Sequence, residues 1–375
     1  MSDNNKYYYF DNSTTSFPKP KEVAEYMSNF LLNSGGTYGR VNTKRGFDTT
    51  RKVEECRELL ALSLGTKKEN HIVFTSGATR SINDILLGLN LKDKKVLISS
   101  LEHNAVLRPV HHLSETINLE YKIMEHLENG LIDLYTLKNT ISTFNPYLVI
   151  VNMESNISGV IQDIKKIKEI IGDTLLLVDA TQSIGIHNIY ADDWEVDFIA
   201  FSAHKGLLGP TGVGGYFVKN PSILLPSYFG GGFGDGITTP YSVPEIYESG
   251  TPNTVGIIGL LAALKHKPNW NISIEDLVST IEKIESLDKY KVLWSKDIKC
   301  QGFVFSIVPL DNSIDMSNIA TILYENYFIE CRYGYHCAFL SHQFYKNTGG
   351  AIRFSFSPYT TKEDLNYLYL SLKEV

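Results

Sequence analysis

Short runs of mostly apolar residues punctuate the chain at Ile72–Thr75, Val96–Ser99, Leu148–Val151, Leu175–Val178, Phe198–Phe201 and Gly215–Val218. A strand with one wet face alternates apolar and polar residues. These runs do not alternate, so they predict strands buried on both faces, as in a mostly parallel sheet. Between the first two, Ile82, Ile85, Leu86 and Leu89 recur at i, i+3, i+4 and i+7, one apolar face of a helix. The expected class is α/β. Past Leu264 the pattern changes. Pro268 breaks a helix begun at Val255, a charged helix covers roughly 274–287, Gly302–Val308 reads as a strand, and a last helix starts at Lys362. That pattern predicts a smaller α+β domain.

In parallel sheets, ligands gather at the carboxyl ends of the strands, and three candidate groups fall there. Asp179 ends the run Leu175–Val178, with Gln182 close behind. Lys205 follows Phe198–Phe201 in Ser202-Ala-His-Lys205. In Thr75-Ser-Gly-Ala-Thr79, Gly77 lets the backbone turn so that free N–H groups and the Thr79 hydroxyl can cradle a phosphate. An acid and a lysine so placed suit pyridoxal phosphate (PLP): the lysine forms a Schiff base and the acid keeps a proton on the pyridine nitrogen. Plainer readings stay open, because a strand-end Asp often caps a helix and a lysine in a glycine-rich loop is usually solvated. The glycine-rich stretches Gly209–Gly215 and Gly230–Gly236 lack the GxGxxG spacing and the Lys-Ser/Thr of a P-loop. A nicotinamide or nucleotide-triphosphate site is therefore disfavoured.

A chain of 375 residues is long enough for one large domain and a smaller one. Its formal charge of −7 argues against a nucleic-acid or anionic-membrane binder. Residues 1–6 carry no apolar leader and no run reaches membrane-spanning length, so the cytoplasm is expected. Four cysteines are too few for a disulfide framework. Cys56 sits in a helical pattern as a structural thiol. Cys331 and Cys337, near His336 and His342, fit no usual zinc spacing, and no metal is expected.

The motifs, taken in order, resemble the class V aminotransferase group of fold-type I PLP enzymes, and within it the cysteine desulfurases. They are Asp11-Asn-Ser-Thr-Thr15, Phe74–Thr79, Glu102-His103, Val178-Asp-Ala-Thr-Gln182, Ser202-Ala-His-Lys205, Gly209-Pro-Thr-Gly212, Glu248-Ser-Gly-Thr-Pro-Asn253, Gly334-Tyr-His-Cys337 and Ile352-Arg-Phe-Ser355. The resemblance implies a large domain over 19–257, built on a mostly parallel seven-stranded sheet between helices. Residues 1–18 and 258–375 would form the small α+β domain.

It also implies roles. Lys205 would be the Schiff-base lysine, Asp179 the partner of the ring nitrogen, and Gln182 and Asn156 the partners of the ring's phenolic oxygen. His103 would stack on the ring; helix-capping is its plainer reading. Thr79, Ser202 and His204 would bind the phosphate, Ala78 would also contact the cofactor, and Thr251 would reach the phosphate of a partner subunit in a homodimer. Arg353 would pair with the substrate carboxylate, with Asn12 beside it. Cys337 would attack Sγ of cysteine and carry a persulfide for iron–sulfur assembly or thiolation, in a loop whose His336 and nearby Arg332 favour a reactive thiol. A selenocysteine lyase needs much the same site. A class V aminotransferase or C–S lyase would leave Cys337 a bystander.

The chain departs from the pattern in places. Ser13-Thr14 replaces Ala-Ala, and Asn104 stands where sulfur-mobilisation (SUF, group II) desulfurases, the subgroup most resembled, often have a second histidine. The stretch 233–248 is long and 265–299 is short. The Cys337 loop is compact, so an acceptor protein or small thiol would have to come to it.

Overall fold

The computed structural model describes residues 6–39, 41–232, 237, 241–311 and 314–375. The glycine-rich stretch 230–236 lies outside the described residues from 233 onward. The strands are β1 (Tyr8–Tyr9), β2 (Ile72–Thr75), β3 (Lys95–Ile98), β4 (Glu120–Ile123), β5 (Leu148–Asn152), β6 (Leu175–Asp179), β7 (Phe198–Ser202), β8 (Gly214–Val218), β9 (Tyr290–Leu293), β10 (Val304–Pro309), β11 (Ile329–Glu330), β12 (Arg332–Gly334) and β13 (Ala351–Ser355). The helices are α1 (Lys21–Asn29), α2 (Lys44–Leu64), α3 (Ala78–Gly88), α4 (Asn104–Thr116), α5 (Leu134–Phe144), α6 (Ile164–Ile171), α7 (Thr254–Lys265), α8 (Ile274–Glu285), α9 (Met316–Tyr327), α10 (Phe339–Phe344) and α11 (Lys362–Glu374).

Seven strands form one sheet in the order β2-β8-β7-β6-β5-β3-β4. All neighbours pair in parallel except β8, which runs antiparallel to both β2 and β7. The continuous apolar runs have a direct cause. Val149, Val151, Leu176 and Val178 point into a core shared with α2, α6 and α7, while Leu148, Ile150 and Leu177 point into a second core shared with α3 and α4. Both faces are dry, so neither parity can be polar. α7 supplies Ile257, Leu260 and Leu261 to the first core, so a domain division at 257/258 would cut a packed helix.

A second, antiparallel sheet has the order β12-β13-β10-β9. Ile352 and Phe354 of β13 pack against α8, α9 and α11, with Phe10 joining from the N-terminal segment. Strand parity then turns Arg353 to the opposite face. β1 pairs in parallel with β11, and Asp11 bridges to Ser355, which lays residues 11–15 between the two sheets. Among the described residues, no helix is long and apolar enough to cross a membrane.

Candidate active site

The carboxyl edge of the large sheet does what the strand ends predict. A cavity of about 220 Å³ opens there, with Ala78, Thr79, His103, Asn156, Asp179, Gln182, Ser202, His204, Lys205, Cys337 and Arg353 all on its wall. Asp179 and Lys205, ends of adjacent strands, share this one space. Asp179 takes a hydrogen bond from the Thr181 amide at 2.9 Å. Burial and the charge of Arg353 push the Lys205 ammonium down to about 8, with Asp179 pulling the other way. An appreciable part of the amine is then uncharged, as imine chemistry requires.

One end of the cavity is a cradle for an anion. Gly77 has φ of +147°, and Gly214 lies so close behind it that a Cβ there would sit 2.5 Å from Gly77 Cα. This turn aims the first turn of α3, which has no side-chain cap, at the cavity. Ser202 Oγ accepts from the Ala78 amide at 2.9 Å, so its own hydrogen is free to donate. His204 Nδ1 is buried there with no partner. Orphaned donors at a helix start suit a phosphate. With the acid and the lysine alongside, the residues present fit PLP.

His103 both caps a helix and lines the site. Its Nδ1 accepts from the Ala105 amide at 3.0 Å, which places the ring proton on Nε2. Burial and the Lys205 charge push it down to about 4, so it is neutral at physiological pH. Behind it, Glu102 is buried and accepts from the Asn152 amide at 2.5 Å. Burial and the Asp179 charge raise its carboxyl well above the usual range.

At the other end, Arg353 Nη2 donates to Asp11 Oδ1 at 2.6 Å and to Thr14 Oγ1 at 2.8 Å, and Nη1 donates to the Asn156 carbonyl at 3.3 Å. Its Nε is buried without an acceptor. Asn156 turns its own amide to the His336 carbonyl at 2.9 Å. Cys337 is exposed at the cavity mouth on a turn where His336 and Cys337 both have positive φ, 50° and 54°. The Asn104 amide donates to the Cys337 carbonyl at 2.7 Å, which ties this turn to α4.

Two expectations, for Asn12 and His336, differ. Asn12 does not line the cavity: its amide is spent on the Tyr9 and Ser355 carbonyls and the Phe17 N–H, so it shapes the loop from within. Thr251, expected to serve a partner's site, lies outside this cavity, in a separate pocket with Tyr228, Glu248 and Ser249. His336 is no cationic neighbour for Cys337, because its Nε2 is bonded to the Ala351 carbonyl at 2.9 Å and burial pushes it down to about 2. Sequence reading missed Asn152 and Glu154 as wall residues. For Asn152 the available signal was its place at the carboxyl end of β5.

The Aminotransferase class-V family model matches residues 8–368. A protein of Haemophilus influenzae named "Probable cysteine desulfurase" is 30% identical, with 97% of this chain and 84% of the relative covered. One of the same name from Pyrococcus abyssi is also 30% identical, covering 98% and 94%. The apo structure of a cysteine desulfurase from Thermococcus onnurineus NA1 superposes with a TM-score of 0.90 at 28% identity, over 98% of this chain and 94% of that one. The cavity's acid, lysine and anion cradle, with a match running nearly end to end, place the chain in the class V aminotransferase family.

Proposed function

We propose that the protein is a PLP-dependent cysteine desulfurase that converts L-cysteine to L-alanine and leaves a persulfide on Cys337. The observation that carries this reading is an exposed thiol at the mouth of the cavity that Lys205, Asp179 and Arg353 line. The relatives named for this activity support it. Asp179 would hold the ring nitrogen, Gln182 and Asn156 would flank the ring, His103 would lie against it, and Thr79, Ser202, His204 and the α3 amides would hold the phosphate. Bound there, the cofactor would draw electrons from the substrate's Cα and Cβ.

The chain's own residues account for the rest. Arg353 holds the substrate carboxylate. Lys205 in its neutral form takes the Cα proton and returns it. The Cys337 thiolate attacks the substrate Sγ. The S–S bond forms as Cβ–Sγ breaks, and Cβ gains a proton, so that cysteine and one thiol yield alanine and one persulfide. Neutral His103 can supply a proton from Nε2. The exposed, tethered position of Cys337 favours an acceptor that comes to it, a partner protein or a small thiol.

The placement of Thr251 outside its own cavity supports a homodimer in which that residue serves the partner's site. The free cysteines fit a reducing compartment, the cytoplasm. The test is Cys337→Ala given L-cysteine and, separately, selenocysteine. Loss of alanine from cysteine, together with loss of the sulfur adduct on the intact chain, is expected. Undiminished alanine formation from cysteine would make Cys337 a bystander and favour a C–S lyase. Turnover of selenocysteine alone would favour the lyase for that substrate.

A further inference from the structure

We propose that the Thr14 hydroxyl is a positioning and specificity-determining group. It locks Arg332 beside Arg353, so that the two arginines together receive a substrate α-carboxylate. The inference rests on the reading that Arg353 meets that carboxylate. Thr14 Oγ1 donates to Asp11 Oδ1 at 2.8 Å and accepts from Arg353 Nη2 at 2.8 Å and from Arg332 Nη1 at 2.9 Å. A hydroxyl has one hydrogen and two lone pairs. All three are spent here, each on a charged partner. Asp11 closes the figure with its own 2.6 Å bond to Arg353 Nη2.

The backbone explains why a bridge is needed. Arg332 and Arg353 are opposite residues on β12 and β13, so two guanidinium groups leave the sheet side by side. Arg353 is buried and Arg332 half-buried there, and like charges repel more strongly as burial deepens. Asp11 cancels one of the two positive charges, and one remains for an incoming anion. Arg353 Nε has no acceptor, and Thr14, Arg332 and Arg353 all line the cavity. An alanine at position 14, as in the pattern this chain resembles, could hold neither guanidinium. A serine could hold both.

The experiment uses the cofactor-loaded enzyme with Thr14→Val, which keeps the shape and removes the hydroxyl, and Thr14→Ser, which restores it. L-alanine is the probe, since it keeps the α-carboxylate and lacks the sulfur; its dissociation constant is read from the cofactor's absorbance, and KM and kcat for cysteine are measured in parallel. Thr14→Val is expected to weaken alanine about tenfold, a hydrogen bond to charged groups being at stake, with more of the catalytic loss in KM than in kcat. Thr14→Ser is expected to bind alanine as the native enzyme does.

Alanine affinity unchanged in the valine variant, or a serine variant as weak as valine, overturns the proposal. If the valine variant does not fold, Arg332→Lys carries the test. It keeps the charge and loses the planar fork, and unchanged alanine affinity there overturns the proposal equally. Arg353→Lys separates the two readings. If it binds alanine normally, the carboxylate assignment itself fails. If it weakens alanine while Thr14→Val does not, only the role of Thr14 fails.

Discussion

The burial that would suit Lys205 to imine chemistry also sets how it responds to pH. An exposed lysine keeps its proton to well above pH 10, but Lys205 is pushed down to about 8 by burial and by Arg353. Only the neutral amine attacks an aldehyde. Below about pH 8 the neutral fraction drops about tenfold per unit, and above it the fraction levels off. Cofactor uptake by the cofactor-free protein, followed by absorbance, should therefore speed up with rising pH and reach a plateau near that value. A rate that stays flat as pH rises toward 8 would mean the lysine is already neutral or not the attacking group. His103 adds no step near neutral pH, because it is uncharged from about 4 upward.

Between elements, one buried ion pair holds three segments together. Arg57 on α2 is fully buried and forks onto Glu248, Nη1 to Oε1 at 2.9 Å and Nη2 to Oε2 at 3.2 Å. Glu248 also accepts from the Phe74 amide on β2 at 2.7 Å. The helix, the sheet edge and the segment that presents Thr251 thus meet at one carboxylate. Arg57 keeps one further charged partner, the part-exposed Glu54, Nε to Oε2 at 3.1 Å, so removing Glu248 costs up to about 3–5 kcal/mol, the penalty for a buried charge left wholly unpaired. Glu248→Gln should lower unfolding stability by up to that much in a urea titration. A loss under about 1 kcal/mol, the scale of an exposed pair, would show that the fork is not stabilising this junction.

Across the whole molecule, buried neutral histidines predict acid lability. Burial pushes His103, His126 and His204 down to about 4 and His336 to about 2, from an ordinary 6.5. Between those values the unfolded chain binds protons that the folded chain refuses. The share of stability these histidines hold is therefore full above pH 6.5 and is lost as pH drops toward 4. For the well-enclosed His126 and His336, each pH unit in the window costs up to about 1.4 kcal/mol. Denaturation midpoints measured at decreasing pH below 6.5 should fall steeply. A constant midpoint across that window would place these rings in water rather than in the protein interior.

What the sequence determined by itself was whatever depends on local pattern. The inner strands β3 and β5–β7 were legible because both their faces are dry, and α3 because one face is. Asp179, Lys205 and the Gly77 turn were legible because a strand end places them without reference to anything distant. β4 was not, since Glu120–Ile123 lies at the sheet edge with no buried residue to mark it. The antiparallel sense of β8 was not either, because an apolar run carries no direction. Only the tertiary structure decided the environments: that Asn12 is consumed inside its loop, that His336 is neutral beside Cys337, and that Thr14 stands between two arginines more than three hundred residues away. Such facts follow from which groups the fold takes out of water together, and hydrogen-bond supply and charge cost are settled there by neighbours that no stretch of sequence holds side by side.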